Sequence, residues 1–127
     1  MSQASNFAEN KIANLFRGQN ITGFTPYLGL FNGNPTDTGT GGTEVTTTVW
    51  PDRPAITFGA PSGGVITNTA VVENGLTLGD ATVTHYGIFD AASGGNMWTY
   101  GAFASQINCV EDEATVIEIG LISIVVA

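Results

Sequence analysis

The sequence predicts a mainly β protein, an antiparallel β-sandwich or jelly-roll-like domain that follows one short N-terminal amphipathic helix. Residues 6–17 carry apolar side chains at helical spacing, whereas from Thr25 onward β-branched and aromatic segments alternate with turn residues. The chain shows no succession of strand-helix-strand units, which argues against a parallel doubly wound sheet. We therefore expect one domain over residues 1–127, with a helical arm at 1–18 and the sandwich at 19–127.

The N-terminal helix is expected over residues 6–17. Asn6 can cap it with Glu9 three residues later, and Gly18 suits the left-handed residue that follows a helix. One face is apolar, and its members are Ala8, Ile12, Leu15 and Phe16. Because a helix of about twelve residues is marginal in water, this face must pack on the β domain or on a neighbouring protein. The sequence leaves both possibilities open.

The strands are expected as about seven or eight short segments separated by clusters of Gly, Pro, Asn and Asp. The candidates are residues 26–31, 44–49, 55–58, 65–72, 82–89, 97–103 and 115–126. The last segment has apolar side chains on both faces, and those on one face include Ile122, Ile124 and Val126. A strand on a half-solvated sheet would alternate with polar residues. Residues 115–126 are therefore expected at the centre of the core or under another subunit.

Charge limits the classes of partner. The sequence has three Lys and Arg residues against eleven Asp and Glu, a formal net charge of −8, and the cations Lys11, Arg17 and Arg53 are scattered. Nucleic acid and anionic membranes need clustered cations, so neither is expected as a partner. Only 11% of the residues are charged, which is low for a fully solvated surface and indicates that partner proteins cover part of it.

The sequence indicates no catalytic, metal or cofactor site. His85 is the single histidine, and without Cys or His partners it cannot form an ordinary zinc site. No Gly-x-Ser-x-Gly motif occurs, so a hydrolase is not expected and His85 is interpreted as a hydrogen-bonded structural residue. The acidic residues 111–113 lack the ligand spacing of a calcium loop and are expected in a solvated turn.

The remaining chemically distinctive residues are interpreted as packing residues. Cys109 is isolated, and a lone cysteine usually behaves as a small buried hydrophobe. The larger aromatic side chains are expected in the core or at subunit contacts rather than in a carbohydrate groove; they are Trp50, Tyr86, Trp98 and Tyr100. The first residues lack the basic and apolar regions of a signal peptide, so we expect assembly in the cytoplasm.

Six ordered segments carry a family resemblance, and they are residues 27–31, 34–37, 42–45, 53–61, 66–69 and 83–96. Together they resemble a family of small tailed-bacteriophage virion proteins, often labelled tail-fibre-like, in which a short N-terminal helix precedes a compact β domain. The resemblance covers nearly the whole chain and is strongest over residues 83–96. The sequence departs from it around residues 72–79 and at its apolar end. The resemblance implies a structural role in the phage particle.

Within the particle, a capsid decoration (cement) protein that contacts the major capsid protein or other virion proteins is the favoured interpretation. The chain has neither the length nor the repeats of a fibre stalk. A tail or tail-fibre attachment component and a host-surface-binding module remain as alternatives. The apolar last segment favours a closed homo-oligomer, expected as a trimer. The candidate docking residues are Ala8, Ile12, Leu15, Phe16, Ile122, Ile124 and Val126.

Overall fold

The structure, a computed structural model, describes residues 2–126. In this range the chain forms seven strands and two helices, which are β1 (Ser2–Ala4), α1 (Asn6–Leu15), β2 (Tyr27–Asn32), β3 (Thr43–Glu44), α2 (Thr46–Val49), β4 (Val65–Thr67), β5 (Ala81–Phe89), β6 (Met97–Cys109) and β7 (Ser123–Val125). All strand pairs are antiparallel. The predicted mainly β, antiparallel architecture with one short N-terminal helix is confirmed. Within residues 2–126, neither helix is long and apolar enough to cross a membrane.

The larger sheet is built around the hairpin of β5 and β6. Its strand order is β1-β6-β5-β2-β3, and β4 pairs with β7 in a separate two-stranded sheet. The predicted segments 82–89 and 97–103 correspond to β5 and β6, but β6 continues to Cys109 because its last residues pair with Ala81, Thr82 and Val83 of β5. The predicted strand ended at residue 103 because the residues that follow are mostly polar. In the structure, backbone pairing with β5 extends the strand beyond that point.

The main core lies between the larger sheet and the two-stranded sheet, giving a sandwich-like arrangement. Alternate residues of β2 and β5 point into it, as Leu28, Leu30 and Tyr86 do. From the C-terminal segment Ile122 and Ile124 enter the same core. Of the two positions expected for the apolar last segment, the core of this chain or the cover of another subunit, Ile122 and Ile124 take the first.

The opposite face of the larger sheet carries a second apolar cluster, formed by Phe31, Phe89, Met97 and Tyr100. The loop between β2 and β3 covers it, since the Tyr100 hydroxyl donates a hydrogen bond to the Asp37 carboxylate and the Asn6 N–H donates to the Asp37 carbonyl. Burial, and then the hydrogen bond and charge of Asp37, raise the pKa of Tyr100 to about 12. The Gly-rich loop is therefore tied to the sheet and to the start of α1.

The prediction of a strand over residues 44–49 is wrong. The strand β3 ends at Glu44, and residues Thr46–Val49 form the single helical turn α2. The Thr46 hydroxyl accepts a hydrogen bond from the Leu30 N–H at 2.9 Å and donates to the Glu44 carboxylate at 2.7 Å. These tertiary hydrogen bonds outweigh the preference of a Thr-rich segment for a strand, because β propensity depends strongly on context. Residues 55–58 likewise form isolated bridges in place of a strand.

The uninterrupted strand expected over residues 115–126 is also absent from the described structure. A turn that contains Gly120, with φ +84, separates the Ile117 bridge from β7. The buried Asn68 side chain holds this turn: its amide donates to the Glu118 carbonyl, and its oxygen accepts from the N–H groups of Gly120 and Ile122. The expected strand 65–72 is shorter in the structure and ends at Thr67 as β4. Ala127 lies outside the described residues.

Helix α1 begins at Asn6, so its N-cap is Ser5 rather than the predicted Asn6. The Ser5 hydroxyl accepts a hydrogen bond from the Ala8 N–H at 3.1 Å and donates to the Met97 carbonyl at 2.5 Å. At the other end, Gly18 has a φ of +81 and the Gln19 N–H bonds back to Asn14, as predicted for a left-handed helix end. The strand β1 was not predicted, because three polar and small residues carry no strand pattern.

Candidate assembly surface

Helix α1 is anchored at its N-terminal half only. Ala8 is buried, and the Phe7 ring meets the Trp98 ring edge-on at 5.1 Å between centroids. One and two turns later the apolar face is uncovered: Ile12 is 38% exposed and Phe16 is 89% exposed. An aromatic side chain left in water forgoes roughly 1.5–3 kcal/mol of burial free energy. The C-terminal half of α1 therefore carries apolar surface that this chain does not use.

The uncovered side chains face an open groove of about 1020 Å³. Its walls come from α1 on one side and from β4 and β7 on the other, with β1 between them. The apolar side chains that line it include Ile12, Phe16, Phe24, Phe58, Ile66 and Val126. We refer to this feature, defined by these six residues, as the α1 groove.

The structure separates the predicted docking residues into three groups. Ile12, Phe16 and Val126 come together in the α1 groove, although Val126 is more than a hundred residues away in sequence. Leu15 is also exposed but lies outside the groove lining. The other three, Ala8, Ile122 and Ile124, are buried within the chain. Ile122 lies wholly in the core of this chain, whereas Ala8 and Ile124, although mostly buried, also contribute to the groove lining.

Sequence reasoning missed two aromatic side chains of the groove. Phe24 lies in the connection between α1 and β2, and its ring stacks on Trp98 at 4.6 Å with 27° between the planes. Phe58 lines the wall formed by the small sheet. The available sequence signal for Phe24 was an aromatic residue next to Gly23 in the connection after α1. Of the four large aromatics interpreted as packing residues, Trp50, Tyr86 and Tyr100 are buried, while Trp98 supports the groove.

The side chains of His85 and Cys109, which could in principle take part in catalysis, form hydrogen bonds with neighbouring side chains of this chain. His85 is half-buried on β5, and its Nδ1 lies 2.9 Å from the Thr84 hydroxyl. Cys109 is buried, and burial raises the pKa of its thiol despite a hydrogen bond with Thr115. Over residues 2–126, no three His, Cys, Asp or Glu side chains are grouped so that they could hold a metal ion. The acidic residues 111–113 are exposed and form a turn, as predicted.

Arg53 is buried in a polar cluster that occupies four of its five N–H donors. Its Nε and Nη2 donate to the two Glu44 carboxylate oxygens at 2.8 Å each, and its Nη1 donates to the Ala91 and Gly94 carbonyls at 3.1 and 2.7 Å. Its guanidinium also stacks over the Phe89 ring at 3.5 Å from the centroid. This arrangement ties the segment that contains Arg53 and the loop between β5 and β6 to strands β3 and β5 of the larger sheet, which indicates a structural role.

Comparison with known proteins identifies the family. A family model described as "Podophage GP4 fiber I protein gp80" matches residues 3–125 of the chain. No curated protein matches it. The matched range includes all the strands and helices that the structure describes between β1 and β7, apart from the first residue of β1. The chain therefore belongs to this podophage fibre family, and the protein is a structural component of the phage virion.

Proposed function

We propose that this protein is a non-catalytic subunit of the virion's fibre apparatus, and that the α1 groove is the surface through which it is built into the particle. The observation that carries the proposal is the exposed apolar half of α1, which faces a groove lined on its other side by Phe58, Ile66 and Val126. The family description supports the location at the fibre. The proposed division of the chain is an arm at residues 1–18 and a β domain at 19–127.

The groove can supply enough free energy for assembly. Ile12 and Phe16 are exposed on α1, and Phe24 is half-exposed beside them. Covering a fully exposed side chain of this size contributes roughly 1.5–3 kcal/mol before the cost of ordering. Ile12 and Phe24 contribute less because they are already partly buried, so the three together hold a subunit weakly. Several subunits that act together on one particle bind far more tightly, because each later contact forms at a high effective concentration.

A capsid decoration protein is the second candidate. It is supported by the short strands and single long hairpin of residues 2–126, which form a compact unit without an elongated stalk. Decoration proteins cover many equivalent positions on a shell, whereas a fibre apparatus occupies few. A quantitative gel of purified virions distinguishes the two: a copy number close to that of the major capsid protein indicates decoration, and a small number indicates the fibre apparatus.

Incorporation into particles tests the proposed surface. A phage that lacks this gene is grown in cells that supply the protein with Ile12→Asp and Phe16→Asp, with wild type and Ile119→Asp as comparisons. Ile119 is exposed and apolar but lies away from the groove, so it controls for a new surface charge. We expect wild type and the control on purified virions and the groove variant only in the soluble fraction. Incorporation of the folded groove variant at the wild-type level contradicts the proposal.

A further inference from the structure

Two carboxylates line the α1 groove together with its apolar side chains. They belong to Glu9, in the first turn of α1, and to Asp37, in the loop between β2 and β3, and both residues are exposed. The charge of Glu9 adds to burial and to the hydrogen bond and charge of Asp37 in raising the pKa of Tyr100 to about 12. Both carboxylates therefore act on one hydroxyl group and lie at the same end of the groove, beside the start of α1.

This end of the groove is negative over the part of the chain that the structure describes. Among residues 2–126, the one ion pair is that of Arg53 with Glu44. Lys11 lies over the Phe7 ring at 5.5 Å from its centroid, and Arg17 follows the end of α1. None of these three cations lines the groove. The N-terminus of a helix carries only about half a positive charge, which offsets two carboxylates in part.

The face of α1 in the groove changes along the helix from a charged end to an apolar end. Glu9, Ile12, Ala13 and Phe16 all line the groove, because residues three, four and seven positions apart share one face of a helix. Glu9 and Phe16 lie roughly 10 Å apart along the helix axis. A segment that matches this face carries a cation and an apolar side chain at a similar separation, which is about seven residues of a helix or three residues of a strand.

The two carboxylates select among possible occupants of the groove. A purely apolar segment would remove water from both carboxylates without replacing its hydrogen bonds, and burying an unpaired charge is costly. A Lys or Arg on the occupant supplies the missing donors together with the opposite charge. The net charge of −8 on the chain attracts a basic partner over a longer range as well.

A second copy of this chain meets these requirements poorly. It carries the same charge of −8, so the two copies repel each other at long range. Its exposed cations are Lys11 and Arg17, which lie on or directly after the helix that forms its own groove. An unlike, basic protein is therefore the better match.

We propose that the α1 groove receives a basic and apolar segment of another virion protein, in which a Lys or Arg meets the carboxylates of Glu9 and Asp37 while an apolar side chain packs on Ile12 and Phe16. The proposal rests on the proposed function, because it names the chemistry of the partner in the same groove. The apolar contacts hold the subunit on the particle. The carboxylates select the partner and fix its direction, with its cation at the start of α1.

Competition for positions on the particle measures the contribution of the two charges. Cells infected with a phage that lacks this gene supply wild type and one full-length variant in equal amounts, and mass spectrometry of purified virions gives the ratio of incorporated copies. The charge variant carries Glu9→Gln and Asp37→Asn, which keep the side-chain shapes and leave an acceptor for the Tyr100 hydroxyl. The control carries Glu73→Gln and Asp112→Asn, which change the same net charge at exposed residues outside the groove.

We expect the control at the wild-type level and the charge variant depleted roughly two- to fivefold for each carboxylate lost. Glu9→Lys should be depleted more than Glu9→Gln, because it places a cation against the cation of the partner. Equal urea midpoints of the purified variants show that the differences arise from the contact and not from folding. Equal incorporation of the charge variant and the control overturns the proposal, and so does incorporation of Glu9→Lys at or above the level of Glu9→Gln.

These outcomes are separate from the test of the groove itself. If the charge variant is incorporated normally while the variant with Ile12→Asp and Phe16→Asp is not, the groove docks a partner of another chemistry. The proposed function then stands and the basic partner is wrong.

Photochemical cross-linking on intact virions identifies the occupant. The photoreactive amino acid p-benzoylphenylalanine in place of Phe16 keeps an aromatic side chain in the groove and forms a covalent bond with the segment that covers it. We expect the captured segment to come from another virion protein and to carry a Lys or Arg about three or seven residues from an apolar residue. A captured segment without a Lys or Arg, or one from a second copy of this chain, overturns the proposal. Virions that contain the substituted protein but yield no adduct show an uncovered groove, which overturns both this proposal and the proposed function.

Discussion

Replacing Arg53 with Met should cost more stability than any single exposed substitution in this protein. The Arg53 side chain is only 9% exposed and donates hydrogen bonds to Glu44, Ala91 and Gly94 while it stacks on Phe89. Met keeps the length and apolar character of the side chain but removes the guanidinium. The Glu44 carboxylate then keeps only the Thr46 hydroxyl as a donor, and the Ala91 and Gly94 carbonyls lose the donor that Arg53 supplied.

The expected loss follows from the burial of the pair. Removing one partner of a buried ion pair costs about 3–5 kcal/mol. The Glu44 side chain remains 29% exposed, so water recovers part of its solvation and we expect about 3 kcal/mol for Arg53→Met. Glu44→Gln keeps an acceptor for Arg53 and should cost about 1–2 kcal/mol. Because the two groups interact directly, the double variant should lose less than the summed single losses.

Urea unfolding of the four proteins, followed by tryptophan fluorescence and circular dichroism, measures these free energies. Burial alone would raise the pKa of Glu44, but hydrogen bonds from Arg53 and Thr46 and the charge of Arg53 hold it below its ordinary 4.5. The resulting stability is complete above about pH 4.5 and is lost as pH falls through the folded-state pKa. Glu44→Gln should flatten that acid limb. An Arg53→Met protein within about 0.5 kcal/mol of wild type refutes the reasoning.

Three further predictions concern the arm and the sheet. Ser5→Ala should lower the free energy of unfolding by about 1–2 kcal/mol, because the cap of α1 and the bond to the Met97 carbonyl are both lost; an unchanged urea midpoint contradicts this. His85→Gln should cost about 1 kcal/mol, since the half-buried ring has a hydrogen bond with Thr84; an unchanged melting temperature would reopen a functional role. Residues 19–127 alone should fold but melt lower than the full chain, because β1 no longer pairs with β6; equal melting would show that the arm adds no stability.

Local patterns in the sequence determined the elements whose signals do not depend on distant residues. The alternation and aromatic content of residues 82–89 predicted β5, and Gly18 marked the end of α1 because few other residues accept a positive φ. The apolar face of α1 was equally visible from its spacing. The sequence did not determine that Ile12 and Phe16 on this face stay exposed, because packing of the helix on the β domain was an equal alternative.

Only the tertiary structure decided how segments far apart in the chain are combined. The Asn68 side chain bends the C-terminal segment at Gly120 through bonds that span about fifty residues, so two bridged pieces replace the predicted strand. Thr46 begins a helical turn because Leu30 and Glu44 offer it partners. The α1 groove joins Phe16 to Val126 across nearly the full chain. Such contacts depend on which surfaces meet after folding, and periodicity within one segment carries no information about that.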